Sequence, residues 1–141
     1  MKRKVIIMIF TTITIVLCGL YLHYENTKLQ VSNYKIVNNN IPVDFNNYKI
    51  VQISDFHNNQ SNTLTNDLIK EIEKQKPNII VLTGDFVDSS KTNVEVAINF
   101  IKKINTVAPI YYVSGNHEAS ISGYTKFKEQ LLENKVIILE N

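Results

Sequence analysis

Asn78-Ile79-Ile80-Val81-Leu82-Thr83-Gly84-Asp85-Phe86-Val87-Asp88 sets a short, continuous aliphatic run directly against a glycine and two carboxylates. Such a run, apolar at both alternating positions and bounded by turn chemistry, reads as a strand of a largely buried parallel sheet. The same layout recurs on either side. Lys49 to Ser54 (KIVQIS) leads into Asp55-Phe56-His57, and Ile110 to Ser114 (IYYVS) leads into Gly115-Asn116-His117-Glu118. Asp85 lies 30 residues after Asp55, and Asn116 lies 31 after Asp85, a spacing of about one βαβ unit. Because ligands gather beyond the carboxyl ends of strands in open α/β sheets, the three polar clusters are expected to meet along one sheet edge.

The segments between the strands read as helices. Beyond Ser61 and Asn62, both suited to capping, Leu64, Leu68, Ile69 and Ile72 trace an amphipathic stripe that must stop before Pro77. Thr92 and Glu95 have the spacing of a capping box ahead of Val94, Ala97, Ile98, Ile101 and Ile104. Tyr124, Phe127 and Leu131 outline a third helix, and Val136 to Leu139 (VIIL) a fourth core strand. Upstream, Asn33 to Val37 and Ile41 to Phe45 are expected as a weak strand pair around an Asn38-Asn39-Asn40 turn. The alternation β-α-β-α-β-α-β argues for an α/β fold with parallel neighbours.

Composition bounds the partners. The 141 residues are 44% hydrophobic and 20% charged, with a formal net charge of +2, which fits one small globular domain. Lysines alternate with glutamates, as in Lys70-Glu71-Ile72-Glu73-Lys74, so no basic stripe argues for nucleic acid. Cys18 is the single cysteine, which excludes an intramolecular disulfide and a cysteine-rich zinc cluster.

Met1-Lys2-Arg3-Lys4 precedes an uncharged run from Val5 to Leu22 that approaches the roughly 20 residues needed to span a bilayer. The run is longer than the core of a cleaved signal peptide, so an uncleaved, single-pass anchor is expected. The basic residues before it, and Tyr21, His23 and Tyr24 at its far end, place the amino terminus in the cytoplasm and the rest outside. The organisation expected is an anchor over 1–24, a linker over 25–32 and a catalytic-type domain over 33–141.

The polar clusters carry metal-ligand chemistry. In extended geometry Asp55 and His57, two apart, would point to one side and grip one cation. Asp85, freed by Gly84, could approach closely and bridge two ions, with Asn116 adding an amide oxygen. Carboxylate, imidazole and amide donors together suit manganese, iron or zinc better than calcium. Taken alone, Glu118 reads as a solvated carboxylate or a first-turn helix charge, and His23 as an interfacial residue.

The ordered set DxH, GDxxD and GNHE, each after an apolar strand, resembles the first three signature motifs of the calcineurin-like metallophosphoesterases over about Tyr48 to Asn141. The membrane segment ahead of the domain further resembles the bacterial membrane-anchored subgroup, some members of which are classed with enzymes that cleave the pyrophosphate of UDP-2,3-diacylglucosamine. The resemblance implies the amino-terminal half of a four-layer αββα sandwich preceded by one transmembrane helix. It implies two divalent metal ions, with Asp55 and His57 on the first, Asp85 bridging and Asn116 on the second. It makes His117 the catalytic histidine and Asp88 its orienting carboxylate, in hydrolysis of a phosphomonoester, phosphodiester or pyrophosphate bond by metal-bound hydroxide.

Members of that family carry a further histidine ligand and a Gly-His-x-His motif that complete both metal shells, together with a second sheet. This sequence has only His23, His57 and His117. The expectation is therefore an incomplete site and a sheet with one apolar face uncovered, inactive as an isolated chain. Two other readings stand beside it: a noncatalytic truncated membrane protein, and one half of a split enzyme completed by a partner chain.

Overall fold

The computed structural model describes residues 2–139, and the chain divides into two units between Asn33 and Tyr34. The apolar run forms α1 (Lys2–Thr27). Its Lys2–Glu25 segment, 24 residues containing an 18-residue stretch of mean hydropathy 2.5 with none of that stretch buried, is long and apolar enough to cross a membrane. At ~1.5 Å per residue it extends about 36 Å, against a hydrocarbon core of about 30 Å. The threonine hydroxyls inside it donate back to carbonyls four residues earlier: Thr11 to Ile7 at 2.8 Å, Thr12 to Met8 and Thr14 to Phe10 at 2.9 Å. The helix thus satisfies these polar groups internally, as a bilayer requires. It runs to Thr27, into the stretch expected to be linker.

The expected strand pair over 33–45 does not form. Residues 31–38 have no regular structure, and Val43–Phe45 is a single 3-10 turn after Pro42. Tyr34, Ile36 and Val37 are strongly exposed. With no core face to pack against, weak alternation is not enough to hold a strand. The asparagine turn is present, with Ile41 N–H donating to the Asn38 carbonyl at 3.1 Å and Asn40 N–H to Asn38 Oδ1 at 2.8 Å.

In the second unit the four strands are β1 (Ile50–Ile53), β2 (Ile79–Thr83), β3 (Ile110–Val113) and β4 (Ile137–Ile138). They pair in parallel in sequential order, with Ile53 opposite Leu82, Leu82 opposite Tyr112 and Tyr112 opposite Ile138. Parallel strands in sequential order, joined by crossovers of one hand, put every connecting helix on the same face. Those helices are α2 (Asn62–Gln75), α3 (Val94–Ile104) and α5 (Tyr124–Glu133). A short α4 (Asn116–Ser120) follows β3 directly.

The stop and start signals act largely as read. Ser61 Oγ accepts from Leu64 N–H at 3.3 Å, and Lys76 ends α2 in a left-handed conformation before Pro77. The capping box expected at Thr92 is absent. Asn93 takes the cap position, and Thr92 Oγ1 instead donates to the Ser89 carbonyl at 3.4 Å.

Ile53, Ile80, Leu82, Ile110 and Tyr112 point under the helices and are buried with Ile72, Ala97, Ile98, Ile101, Ile104, Phe127 and Leu131. The opposite face is apolar and open: Ile79, Val81 and Tyr111 are only partly covered, and Ile50, Val113, Ile137 and Leu139 are exposed. The bare face anticipated from the doubly apolar strands is therefore present in this chain.

Candidate metal centre at the strand ends

The polar clusters do converge, but not by extended geometry. Asp55, His57 and Asn58 have φ of 55°, 47° and 51°, and Asp85 has 50°, so both loops turn through left-handed conformations. These cost a non-glycine residue about 1–2 kcal/mol each, and the surrounding packing holds them. Asp55 N–H donates to the Gly84 carbonyl at 3.2 Å, His57 N–H to Asp85 at 3.1 Å and Asn58 N–H to Phe86 at 3.2 Å. The β1 and β2 loops therefore stay paired past the ends of their strands.

Underneath, the residues between the polar ones act as anchors. Phe56 stacks on Phe86 and on Phe100 of α3, both with ring centroids 4.7 Å apart, and Phe86 lies 5.8 Å from Phe100. All three are buried. The loops after β1 and β2 each thus turn a phenylalanine into the core and their ligand-type side chains outward.

Glycines set the closest approach. Gly84 has φ +83°, and a Cβ there would lie 2.9 Å from the Gly115 Cα. A Cβ on Gly115 would run into the amide and carboxylate of Asp85. Across this gap Asp85 Oδ1 accepts the His117 N–H at 3.0 Å.

The result is a group of three donors. One ligand atom each from His57, Asp85 and His117 lies within 4.8 Å of the others, and the two imidazoles meet edge to face with centroids 4.7 Å apart. Two imidazole nitrogens and a carboxylate oxygen at this separation fit a first-row divalent cation. Asp55 sits at the rim, exposed, with its carboxylate bonded by the Ser54 hydroxyl and Oδ1 3.8 Å from His57 Nε2. Asn116 is exposed at the first residue of α4. His117, expected beside the metals, falls inside the three-donor group itself.

Asp88 stands between the histidines, 3.9 Å from Nδ1 of His57 and 3.9 Å from Nδ1 of His117. That is beyond hydrogen-bond reach. Its Oδ1 instead accepts from the hydroxyl and the amide of Ser90, both at 2.7 Å. These bonds hold the Asp88 carboxyl below the ordinary aspartate range, with a smaller contribution from His117. Ser89, rather than Asp88, lies within hydrogen-bond reach of the His117 ring nitrogen, its N–H donating to Nδ1 at 3.2 Å and its Oγ 3.0 Å away. An amide donor leaves Nδ1 as acceptor, so the neutral ring carries its proton on Nε2.

Glu118 departs most from its sequence reading, being fully buried. Its Oε2 accepts the N–H of Asp85 at 2.9 Å and of Gly115 at 2.8 Å, and its Oε1 the N–H of Val87 at 2.8 Å. Bonds to a charged acceptor are worth about 1.5–3 kcal/mol each. The bond from Gly115 is one half of a capping box, the other half needing a side chain that glycine lacks. The spacing from Gly115 to Glu118 was the available signal. For Phe56 and Phe86 it was their place between polar neighbours. Burial pushes the Tyr112 phenol up, and the nearby Glu118 carboxylate adds to the shift.

A sequence model described as "Calcineurin-like phosphoesterase" matches residues 48–140. The chain belongs to the calcineurin-like phosphoesterase family. Among its relatives are an uncharacterised metallophosphoesterase of Aquifex aeolicus (strain VF5), 32% identical over 73% of this chain and 40% of its own length, and YkuE of Bacillus subtilis (strain 168), also an uncharacterised metallophosphoesterase, 28% identical over 84% and 43%. A bovine transmembrane protein with a metallophosphoesterase domain is 25% identical over 79% of this chain and 26% of its own length. The chain thus spans less than half the length of these phosphoesterase relatives. Its matched region runs from just before β1 through β4 and includes all three motif loops.

Proposed function

We propose that this chain contributes the first half of a metal-dependent phosphoesterase centre held at a membrane. The observation that carries the reading is the meeting of His57, Asp85 and His117 at the ends of three adjacent parallel strands. Asp55, His57, Asp85 and Asn116 are the proposed ligands of two divalent ions, manganese, iron or zinc. Such ions supply, when bound, Lewis-acid polarisation of a phosphoryl group and neutralisation of its charge. Asp85 is held by its own amide and by its Oδ1, so it can bind a cation without reordering. His117, with Nδ1 facing Ser89, presents Nε2–H as a donor to a departing ester oxygen. Asp88, 3.9 Å from Nδ1 of each imidazole, sets a carboxylate beside both rings and is the proposed orienting group for His117.

The length and hydropathy of α1 support an anchored protein. Lys2, Arg3 and Lys4 at its start favour a cytoplasmic amino terminus. An anchored site favours a lipid-linked or envelope phosphoester, and UDP-2,3-diacylglucosamine is one candidate of that class. In a second reading these residues bind metal and catalysis needs groups from outside residues 1–141, which hold three histidines.

The test is hydrolysis of bis-p-nitrophenyl phosphate and p-nitrophenyl phosphate by the detergent-solubilised chain with added Mn2+, alongside a Mn2+ titration. Turnover abolished by EDTA and by Asp85→Ala supports the enzyme reading. Binding without turnover selects the second reading, and absence of Mn2+ binding refutes both.

A further inference from the structure

We infer that Glu118 is a positioning residue of the metal centre: its buried carboxylate locks the β2 loop that carries Asp85 to the β3 loop that carries Asn116 and His117. This inference rests on the proposed metal site.

Three features converge on it. Glu118 is fully buried, where a carboxylate is stable only if its oxygens are bonded. Its partners are backbone amides from two different loops, Asp85 and Val87 on one side and Gly115 on the other, all at 2.8–2.9 Å. A second link closes the ring in the opposite sense, from the His117 N–H to Asp85 Oδ1 at 3.0 Å. The loops are therefore cross-stitched: Asp85 gives its amide to Glu118 and takes the amide of His117. This fixes the separation of the Asp85 carboxylate from the His117 ring while Gly84 and Gly115 let the two backbones touch.

A carboxylate has acceptor oxygens only, so Oε2 takes an amide from each loop while Oε1 takes the amide of Val87. A glutamine of the same shape turns one acceptor oxygen into a donor facing an amide that is itself a donor.

The experiment uses the full chain in detergent micelles and compares wild type with Glu118→Gln. Hydrogen exchange of the metal-free wild type should show slow amides at Asp85, Val87 and Gly115, and faster ones in the variant. Mn2+ titration should give a Kd raised about tenfold or more in E118Q, the loss typical when a group supporting a metal ligand is changed. The visible spectrum of the Co2+-loaded protein should change with it.

Equal Mn2+ affinity and identical Co2+ spectra in the two proteins would overturn the inference and leave the metal site standing, even if E118Q melts at a lower temperature. Wild type that binds no Mn2+ would overturn the metal site and this inference together. Should E118Q not fold, the wild-type exchange pattern and Glu118→Asp decide: the shorter side chain keeps the charge but cannot span both loops. Fast wild-type amides, or full Mn2+ affinity in E118D, would overturn the inference.

Discussion

Gly84→Ala tests the reading that backbone contact between two motif loops shapes the site. Alanine at φ +83° leaves the region open to side chains at little strain, at about 1–2 kcal/mol. Its Cβ would also lie 2.9 Å from the Gly115 Cα, a backbone atom that can yield only if β2 and β3 separate at their ends, and overpacking of that kind costs about 1–3 kcal/mol. Together the expected loss is about 2–5 kcal/mol, out of a stability of about 5–15 kcal/mol for an ordinary domain. Gly123→Ala is the control. Its φ is −103° and nothing lies within 4 Å of the added carbon, so its effect should stay within about 1 kcal/mol, the scale of replacing the glycine N-cap of α5 by alanine. Urea unfolding of the full chain in micelles, followed by tyrosine fluorescence because the chain has no tryptophan, measures both. A loss below about 1 kcal/mol for G84A, or one no larger than that of G123A, would refute the close-contact argument.

Phe86→Ala removes a fully buried ring stacked on Phe56 and should cost about 3–5 kcal/mol; the same urea titration reads it. Asp88 has a depressed folded-state pKa, so its contribution to stability is full above the unfolded value near 3.8 and is lost as pH falls through the lower folded value. Ser90→Ala, by removing the larger cause of that depression, should raise the Asp88 pKa in a carboxyl-carbon NMR titration of metal-free protein; an unchanged value would count against the Ser90 bonds. A piece comprising Tyr34 to Asn141 should bind the dye ANS and associate through its open sheet face. A monomer that leaves ANS dark would show that face to be covered.

The helices and core strands were legible because several signals agreed in each. In α2 an apolar stripe, a serine cap and a proline stop all coincide, and α3 has the clearest stripe in the chain. The strand pair over 33–45 rested on alternation alone, and tertiary contact decides such a segment. Phe100 was missed because it lies beside the stripe of α3, where only the two loop phenylalanines make it core. The three polar clusters could be placed together from spacing, but their left-handed turns could not. Those turns depend on pairing between loops about 30 residues apart in sequence. The same long-range pairing converts Glu118 from a plausible surface charge into a buried acceptor and puts Ser89 nearer His117 than Asp88.

The sequential strand order has a kinetic consequence. Every strand of the sheet pairs with the one made just before or after it, so each new βα unit finds its template already formed and no pairing waits for a distant segment. Each pairing spans about one βα unit, so its two strands are both made within seconds of one another at a synthesis rate of about 5–20 residues per second. The sheet and its motif loops can therefore be laid down in order from β1 to β4 as the chain emerges. Throughout that interval the open face is available to whatever first meets it, so the period of greatest exposure to misassociation coincides with the growth of the sheet itself.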